Sequence, residues 1–316
     1  MTLVIAIVGP TAIGKTNLAI QLSQRLKGEI VSADSRQIYR YMDIGTAKPT
    51  TEERETVRHH LIDIINPNEE YSLALYQRDA LEAINGIQRR RKQAFLVGGS
   101  GLYVWGLLEG WRIPAVVPNK RLRHQLEVRV RSEGVERLYQ ELIHCDPVAA
   151  QSIDPRNVRR VIRALEVCGE DQKFSELSRK EPFFDFSVIG LTVDRACLYK
   201  RIDQRVDRMM ANGFVNEVKS LYARGYTFDL PSMSGIGYRQ IGKYLNGEYD
   251  LDTAVEKIKT ETHRFARRQY SWFSLKDRRI QWFNTEENYV CAISEYLSRQ
   301  GLVESIGKGG RNGQDT

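Results

Sequence analysis

The sequence predicts an α/β protein: a parallel-sheet core interrupted by an inserted all-helical segment. Three observations carry this. Short aliphatic runs, suited to strands buried on both faces, recur at residues 3–8, 29–33, 94–97 and 187–193. Helix-period stretches separate them. From Pro114 to about Pro182 strand character disappears and only helical patterning remains. With 316 residues, 41% of them hydrophobic and 28% charged, the chain is long enough for about two globular domains.

The first run stops at Gly9-Pro10, and Leu18, Ala19, Leu22 and Leu26 then mark one face of a helix that Gly28 should stop. A second strand at 29–33 completes a βαβ unit. A helix is expected over 72–87, a strand over 94–97 closed by Gly98-Gly99, and a helix over 100–108. Within the insertion, Leu122, Leu126 and Val130, then Leu138 and Leu142, mark helix faces, and a third helix spans 156–167. The core resumes with a strand at 187–193, a helix over 198–211 with Gly213 as its left-handed cap, and a last strand at 280–283. The glycine-rich tail should be disordered. The partition is therefore 1–113 and 183–304 for the core, 114–182 for the insertion and 305–316 for the tail.

The longest early apolar run is far short of the roughly 20 residues that cross a bilayer. It also lacks a basic flank and a cleavage site, so no signal peptide is expected. The 4 cysteines, Cys145, Cys168, Cys197 and Cys291, have no CxxC spacing. They read as reduced thiols of a cytoplasmic protein, not as a zinc ribbon. Lys plus Arg is 47 against 40 for Asp plus Glu, and the net +7 permits an anionic partner without requiring one.

Chemistry begins at Gly9-Pro10-Thr11-Ala12-Ile13-Gly14-Lys15-Thr16, which fits GxxxxGK[ST] between a buried strand and a helix. In such a P-loop, backbone N–H groups curl around phosphate oxygens, the helix N-terminus adds partial positive charge, and Lys15 adds a full one. The Thr16 hydroxyl can ligate Mg²⁺. The pattern identifies a phosphate chain but not its bearer, so a P-loop kinase with Arg205 and Arg208 as lid arginines stays open on these residues alone. Asp34 follows the second strand directly, where strand ends line the ligand crevice. A carboxylate there can bind Mg²⁺ or accept a proton from a nucleophile, or can simply cap a helix. Ser35 and Gln37 can hydrogen-bond an acceptor such as an adenine edge.

These residues belong to a larger set of motifs. GPTAIGKT at 9–16 is joined by SADSRQIYR at 32–40, MDIGTAKP at 42–49, HHLIDI at 59–64 and GGSGLY at 98–103. RRVIRALEV follows at 159–167, RVDRMMANGFVNEV at 205–218, GIGYRQ at 235–240, and Arg267-Arg268-Gln269 with Trp272. In this order, over nearly the whole chain, the sequence resembles the tRNA dimethylallyltransferases, also called tRNA isopentenyltransferases.

The resemblance implies a P-loop NTPase-like core, and transfer of a dimethylallyl group from dimethylallyl diphosphate to N6 of adenosine 37 in the tRNA anticodon stem-loop. It implies that Gly9, Pro10, Thr11, Ala12, Ile13, Gly14, Lys15 and Thr16 hold a diphosphate. Asp34 would be the general base, Thr16 would contact Mg²⁺, and Arg205 with Lys15 would serve the diphosphate. It implies tRNA contacts at Asp34, Ser35, Arg36 and Gln37, at Ser100, and at Arg159, Arg160, Val161, Ile162 and Arg163. Further contacts would come from Gly235, Ile236, Gly237, Tyr238, Arg239 and Gln240, and from Arg267, Arg268 and Gln269. Ile13 departs from the smaller residue usual at its place and reshapes the allyl pocket slightly at most. No membrane is implied, and the absence of heptads or an obvious pairing element makes a monomer the expectation. A dimethylallyltransferase acting on free adenine nucleotides is the other reading, although its simplest form needs no basic helical insertion.

Other features have plainer readings. Arg89-Arg90-Arg91-Lys92 reads as solvated charge at a helix end. Arg159 and Arg163 share a helix face, where an ion-paired surface competes with a phosphate grip. His263, Arg264, Arg267 and Arg268 interleave with Phe265, Tyr270, Trp272 and Phe273, as in RNA-stacking surfaces or in an amphipathic helix with a packed aromatic face. His59-His60 lacks a third ligand at metal spacing and reads as structural.

Overall fold

A computed structural model describes residues 3–113, 119–170, 172–175 and 181–301. The chain divides into two compact units, Met1–Val104 with Phe184–Thr316, and Trp105–Phe183. The first runs through β1 (Val4–Val8), α1 (Lys15–Arg25), β2 (Gly28–Ala33), α2 (Thr51–Thr56), β3 (His59–His60), α3 (Leu73–Arg89), β4 (Gln93–Gly98) and into α4 (Gly101–Leu108). The second carries α5 (Lys120–Glu133), α6 (Val135–Cys145), α7 (Pro147–Ser152) and α8 (Val158–Cys168). The first resumes with β5 (Phe186–Thr192), α9 (Arg195–Ala211), α10 (Phe214–Ala223), α11 (Tyr238–Leu245), α12 (Leu251–Trp272), β6 (Ile280–Asn284) and α13 (Tyr289–Arg299).

The six strands form one parallel sheet in the order β3-β2-β4-β1-β5-β6. Every residue of β1 is buried, as a strand between two neighbours and under helices requires. Helix α1 places Leu18, Ala19 and Leu22 in the core with Ile5, Ile7, Ile189 and Leu191 of the sheet. A second cluster joins Ile38 and Met42 to Phe214, Tyr238 and Ile258. It packs the loops after β2 against α10, α11 and α12. The second unit has its own core of Leu126, Leu138, Leu142, Val161 and Ile162.

Gly28 does not stop α1. Leu26 caps the helix and Gly28 opens β2, where a Cβ would lie 2.5 Å from the Phe95 ring. Gly213 is left-handed at φ +90°, after the α9 cap Asn212 and before α10. The division between units falls within α4, earlier than the Pro114 boundary read from sequence. Residues 114–118 and the tail at 305–316 lie outside the described residues.

Candidate active site

The P-loop leaves β1 through Gly9, whose φ of +141° and tight fit both demand glycine, since a Cβ would sit 2.6 Å from the Leu191 carbonyl oxygen. Gly14 at φ +97° turns the chain into α1, so the helix N-terminus opens onto the loop. The Lys15 ammonium folds back to donate to the Gly9 and Pro10 carbonyls at 3.0 and 2.8 Å. Burial lowers its pKa to about 8, against the pull of Asp34 and helped by the like charge of Arg205. Burial also lowers the pKa of Arg205, with Asp34 opposing. Arg205, from α9, donates through Nη1 to Thr11 Oγ1 at 3.1 Å. A cation that a site keeps only at a desolvation cost gains most when an anion arrives.

Asp34 sits at the C-terminal end of β2 and accepts the Arg36 amide on Oδ1 at 2.8 Å. It heads a turn, and no helix follows it, so the capping alternative falls. Ser35 donates its amide to Ser100 Oγ at 3.1 Å, which ties the β2 exit to the β4–α4 turn. Gln37 accepts from Ser32 Oγ at 3.0 Å and donates to the Ala47 carbonyl at 3.2 Å, so its amide already has partners within the fold. Arg36 reaches the Pro231 and Ser232 carbonyls at 2.8 and 3.2 Å.

Two cavities meet at Asp34. The first, about 340 Å³, is lined by the P-loop, Asp34, Lys48, His59 and Val97. The second, about 590 Å³, is lined by Asp34, Ser35, Ser100, Arg239, Arg268 and Trp272 among others. Thr11, Asp34, Thr46, Gly99, Arg205, Phe265 and Gln269 line both. Thr16 lines only the first.

Several residues that shape this region lie within the quoted motifs but were not singled out from sequence. Glu217 of α10 accepts the amides of Asp43, Ile44 and Gly45 at 2.9, 2.6 and 3.1 Å and the Tyr238 hydroxyl at 2.6 Å. Lys48, 8% exposed, holds the same segment by donating to Tyr39 O, Asp43 and Asp63. The 42–49 segment is thus pinned from two sides. The β4–α4 turn is shaped by α12: a Cβ on Gly99 would collide with Gln269 Nε2, and one on Gly101 would collide with the Trp272 ring.

The remaining sequence-predicted residues divide sharply. Gly235, Ile236 and Arg239 line the second cavity, and Arg239 pairs with Glu261. Tyr238 also lines the second cavity although it is packed against Glu217, and Gln240, 2% exposed, accepts the Gly237 amide at the start of α11. Arg267 is exposed on α12. Buried Gln269 accepts the Thr11 amide at 2.8 Å and donates to the Gly99 carbonyl at 3.0 Å. That occupies one P-loop amide expected to serve a phosphate.

In the second unit Arg159 and Arg160 are exposed, whereas Val161 and Ile162 are core residues. Arg163 donates to Glu166, which also binds Arg123. The Arg89–Lys92 run is not simply solvated, because Arg90 and Lys92 bind Glu29, 1% exposed, together with His60. Burial would raise the Glu29 pKa, but Arg90, His60 and Lys92 hold it at about 2. His59 donates Nδ1–H to the Val57 carbonyl at 2.7 Å. Among the described residues no cluster of three His, Cys, Asp or Glu side chains could hold a metal, and no helix is long and apolar enough to cross a membrane.

Comparison with known proteins agrees with this architecture. The IPP transferase family model matches residues 37–278, and the isopentenyl transferase model matches residues 2–68. A tRNA dimethylallyltransferase of Thermomicrobium roseum is 50% identical over 305 residues, 96% of this chain and 92% of that protein. One of Herpetosiphon aurantiacus is 49% identical over 298 residues, 94% and 95% of the two chains. The crystal structure of the full-length tRNA isopentenylpyrophosphate transferase of Bacillus halodurans aligns with a TM-score of 0.71 at 41% identity, covering 95% of this chain and 97% of that one. A eukaryotic dimethylallyltransferase acting on tRNA aligns at 0.80 and 27% identity, covering 96% and 80%.

Proposed function

The chain belongs to the IPP transferase family, the tRNA dimethylallyltransferases, and from that premise we infer that it transfers a dimethylallyl group from dimethylallyl diphosphate to N6 of adenosine 37 in tRNA. The observation that best supports a two-substrate transfer is the meeting of a phosphate-binding cavity and a second, wider one at Asp34.

Dimethylallyl diphosphate occupies the P-loop cavity, its charge met by Lys15, Arg205, the remaining loop amides and the α1 N-terminus. The target adenine leaves its stack and enters the second cavity. Its N6 lone pair is delocalised into the ring, so attack requires loss of a proton. One Asp34 oxygen is held by the Arg36 amide, and the other is left to take that proton. The N6–C1 bond forms, the C1–O bond breaks, the proton moves to Asp34 and diphosphate departs. The walls formed by Phe265 and Gln269 limit water at the junction.

The residues present fit Mg²⁺. Thr16 offers a hard hydroxyl oxygen donor in the first cavity, and a Mg²⁺ that takes its other ligands from diphosphate and water needs no all-protein cage. Bound there, it would neutralise charge on the leaving diphosphate. Exposed Arg159 and Arg160 are available to anticodon-stem phosphates, as is Arg267. We read the chain as a monomer, and as cytoplasmic in keeping with its four free thiols.

Radiolabelled dimethylallyl diphosphate incubated with unmodified tRNA tests the reading. Label in RNA, at adenosine 37, is the expected result. Label in AMP alone would select a free-nucleotide enzyme, and phosphate transfer from ATP a kinase.

A further inference from the structure

Gln269 has an unusual position: a buried side-chain amide on α12 that reaches both cavities. Its Oε1 accepts the Thr11 amide at the mouth of the P-loop, 2.8 Å away, across 258 residues of sequence. Its Nε2 donates to the Gly99 carbonyl at 3.0 Å, in a contact so close that a Cβ on Gly99 would have to displace the amide. The two ends of one planar amide therefore fix the P-loop against the β4–α4 turn. On either side of it along α12, Arg268 and Trp272 face the second cavity. Thr11 itself is gripped twice, by Gln269 at its amide and by Arg205 at its hydroxyl.

We propose that Gln269 is a positioning residue that couples the two substrate sites, so that tRNA contacts on α12 set the shape of the diphosphate loop. This rests on the proposed tRNA and diphosphate sites. A hydrogen bond of 2.8 Å weakens within a few tenths of an ångström, so a small shift of α12 is transmitted directly to the Thr11 amide. Because coupling is a free energy between sites, it must run both ways. An anticodon stem-loop tightens diphosphate binding, and diphosphate tightens RNA binding by the same factor, about 5- to 20-fold within the usual range for coupled sites.

The test measures binding of inorganic pyrophosphate with and without an unmodified anticodon stem-loop, and of the stem-loop with and without pyrophosphate. It uses the intact protein and its Q269M, Q269E and Y270F variants. Q269M removes both hydrogen bonds at similar volume, and Q269E keeps the acceptor to Thr11 while removing the donor to Gly99. Y270F removes a different α12 anchor, the Tyr270–Thr192 hydroxyl contact at 3.1 Å, without touching the P-loop. The expected result is equal mutual enhancement in the native chain, its loss in Q269M whatever the stem-loop affinity of that variant alone, partial retention in Q269E, and full retention in Y270F. In turnover, Q269M raises the diphosphate KM more than it lowers kcat. Undiminished coupling in Q269M would overturn the proposal, as would equal loss in Q269M and Y270F, which is the mark of simple helix anchoring. Native protein that modifies tRNA yet shows no mutual enhancement overturns the coupling alone. Native protein that modifies no tRNA overturns the functional reading beneath it.

Discussion

The strand end at Asp34 and the first turn of α10 at Glu217 both present a carboxylate to backbone amides, with opposite outcomes. Glu217 accepts three consecutive amides and a tyrosine hydroxyl, so both its oxygens are committed to holding the 42–49 segment. Asp34 accepts one amide and keeps an oxygen for the junction of two cavities. A carboxylate with every acceptor position used is a fastener, and one with a position in reserve can move a proton.

The largest test of that contrast is Asp34→Asn. It should lower single-turnover transfer by about 10²-fold or more while leaving the denaturant midpoint nearly unchanged. A marked loss of stability with normal chemistry would make Asp34 another fastener. Glu29 is a second saturated carboxylate, and acid should expose it. Its folded pKa of about 2 lies below the ordinary 4.5, so its contribution is complete above about pH 4.5 and drains away as the pH falls toward 2. The loss is on the order of 3 kcal/mol. Urea melts of the native chain and Glu29→Gln across that window should converge at the acid end, and parallel curves would remove Glu29 from the causes of acid sensitivity. Glu217→Gln should cost about 2 kcal/mol in the same melts, because an amide cannot accept at both ends and leaves buried N–H groups facing its NH₂. Its effect on bound-state chemistry should be much smaller than that of Asp34→Asn. The last test is read in pH and concerns Lys15. Its charged form prevails below about pH 8, so kcat/KM for the allylic diphosphate should fall roughly tenfold per pH unit above that value. A flat profile up to about pH 10 would separate Lys15 from diphosphate binding.

Legibility in the sequence followed the range of the interactions. The central strands were visible because each is a short buried run whose partners leave the same aliphatic signature. The P-loop and Asp34 were visible because their chemistry needs residues adjacent in sequence and anchored to a strand end. The two-residue edge strand β3 is too short for any periodicity to register. The roles of Glu217, Lys48 and Glu29 were missed because a charged residue, on a helix, in a loop or at a strand start, looks solvated until its partner is known. The partner of Glu217 lies about 170 residues away. Arg163 shows the reverse: it read as part of a basic stripe, and the nearby Glu166 claims it. Motif stretches also mixed two kinds of residue, since Val161, Ile162 and Tyr238 fill cores and Gln240 is buried beside exposed Arg159, Arg160 and Arg239.

The place of β1 in the sheet also has a bearing on biosynthesis. β1 is the first strand made, yet its neighbours are β4 and β5, and the whole of 105–183 must be translated between those two. At roughly 5–20 residues per second, the nascent chain carries one unpaired edge of its most apolar strand for on the order of ten seconds. The intervening segment is contiguous and has its own core, so it can finish folding during that interval. The exposed β1 edge is then the point where a ribosome-associated chaperone would matter most, and where a translation pause after residue 98 would favour misassembly.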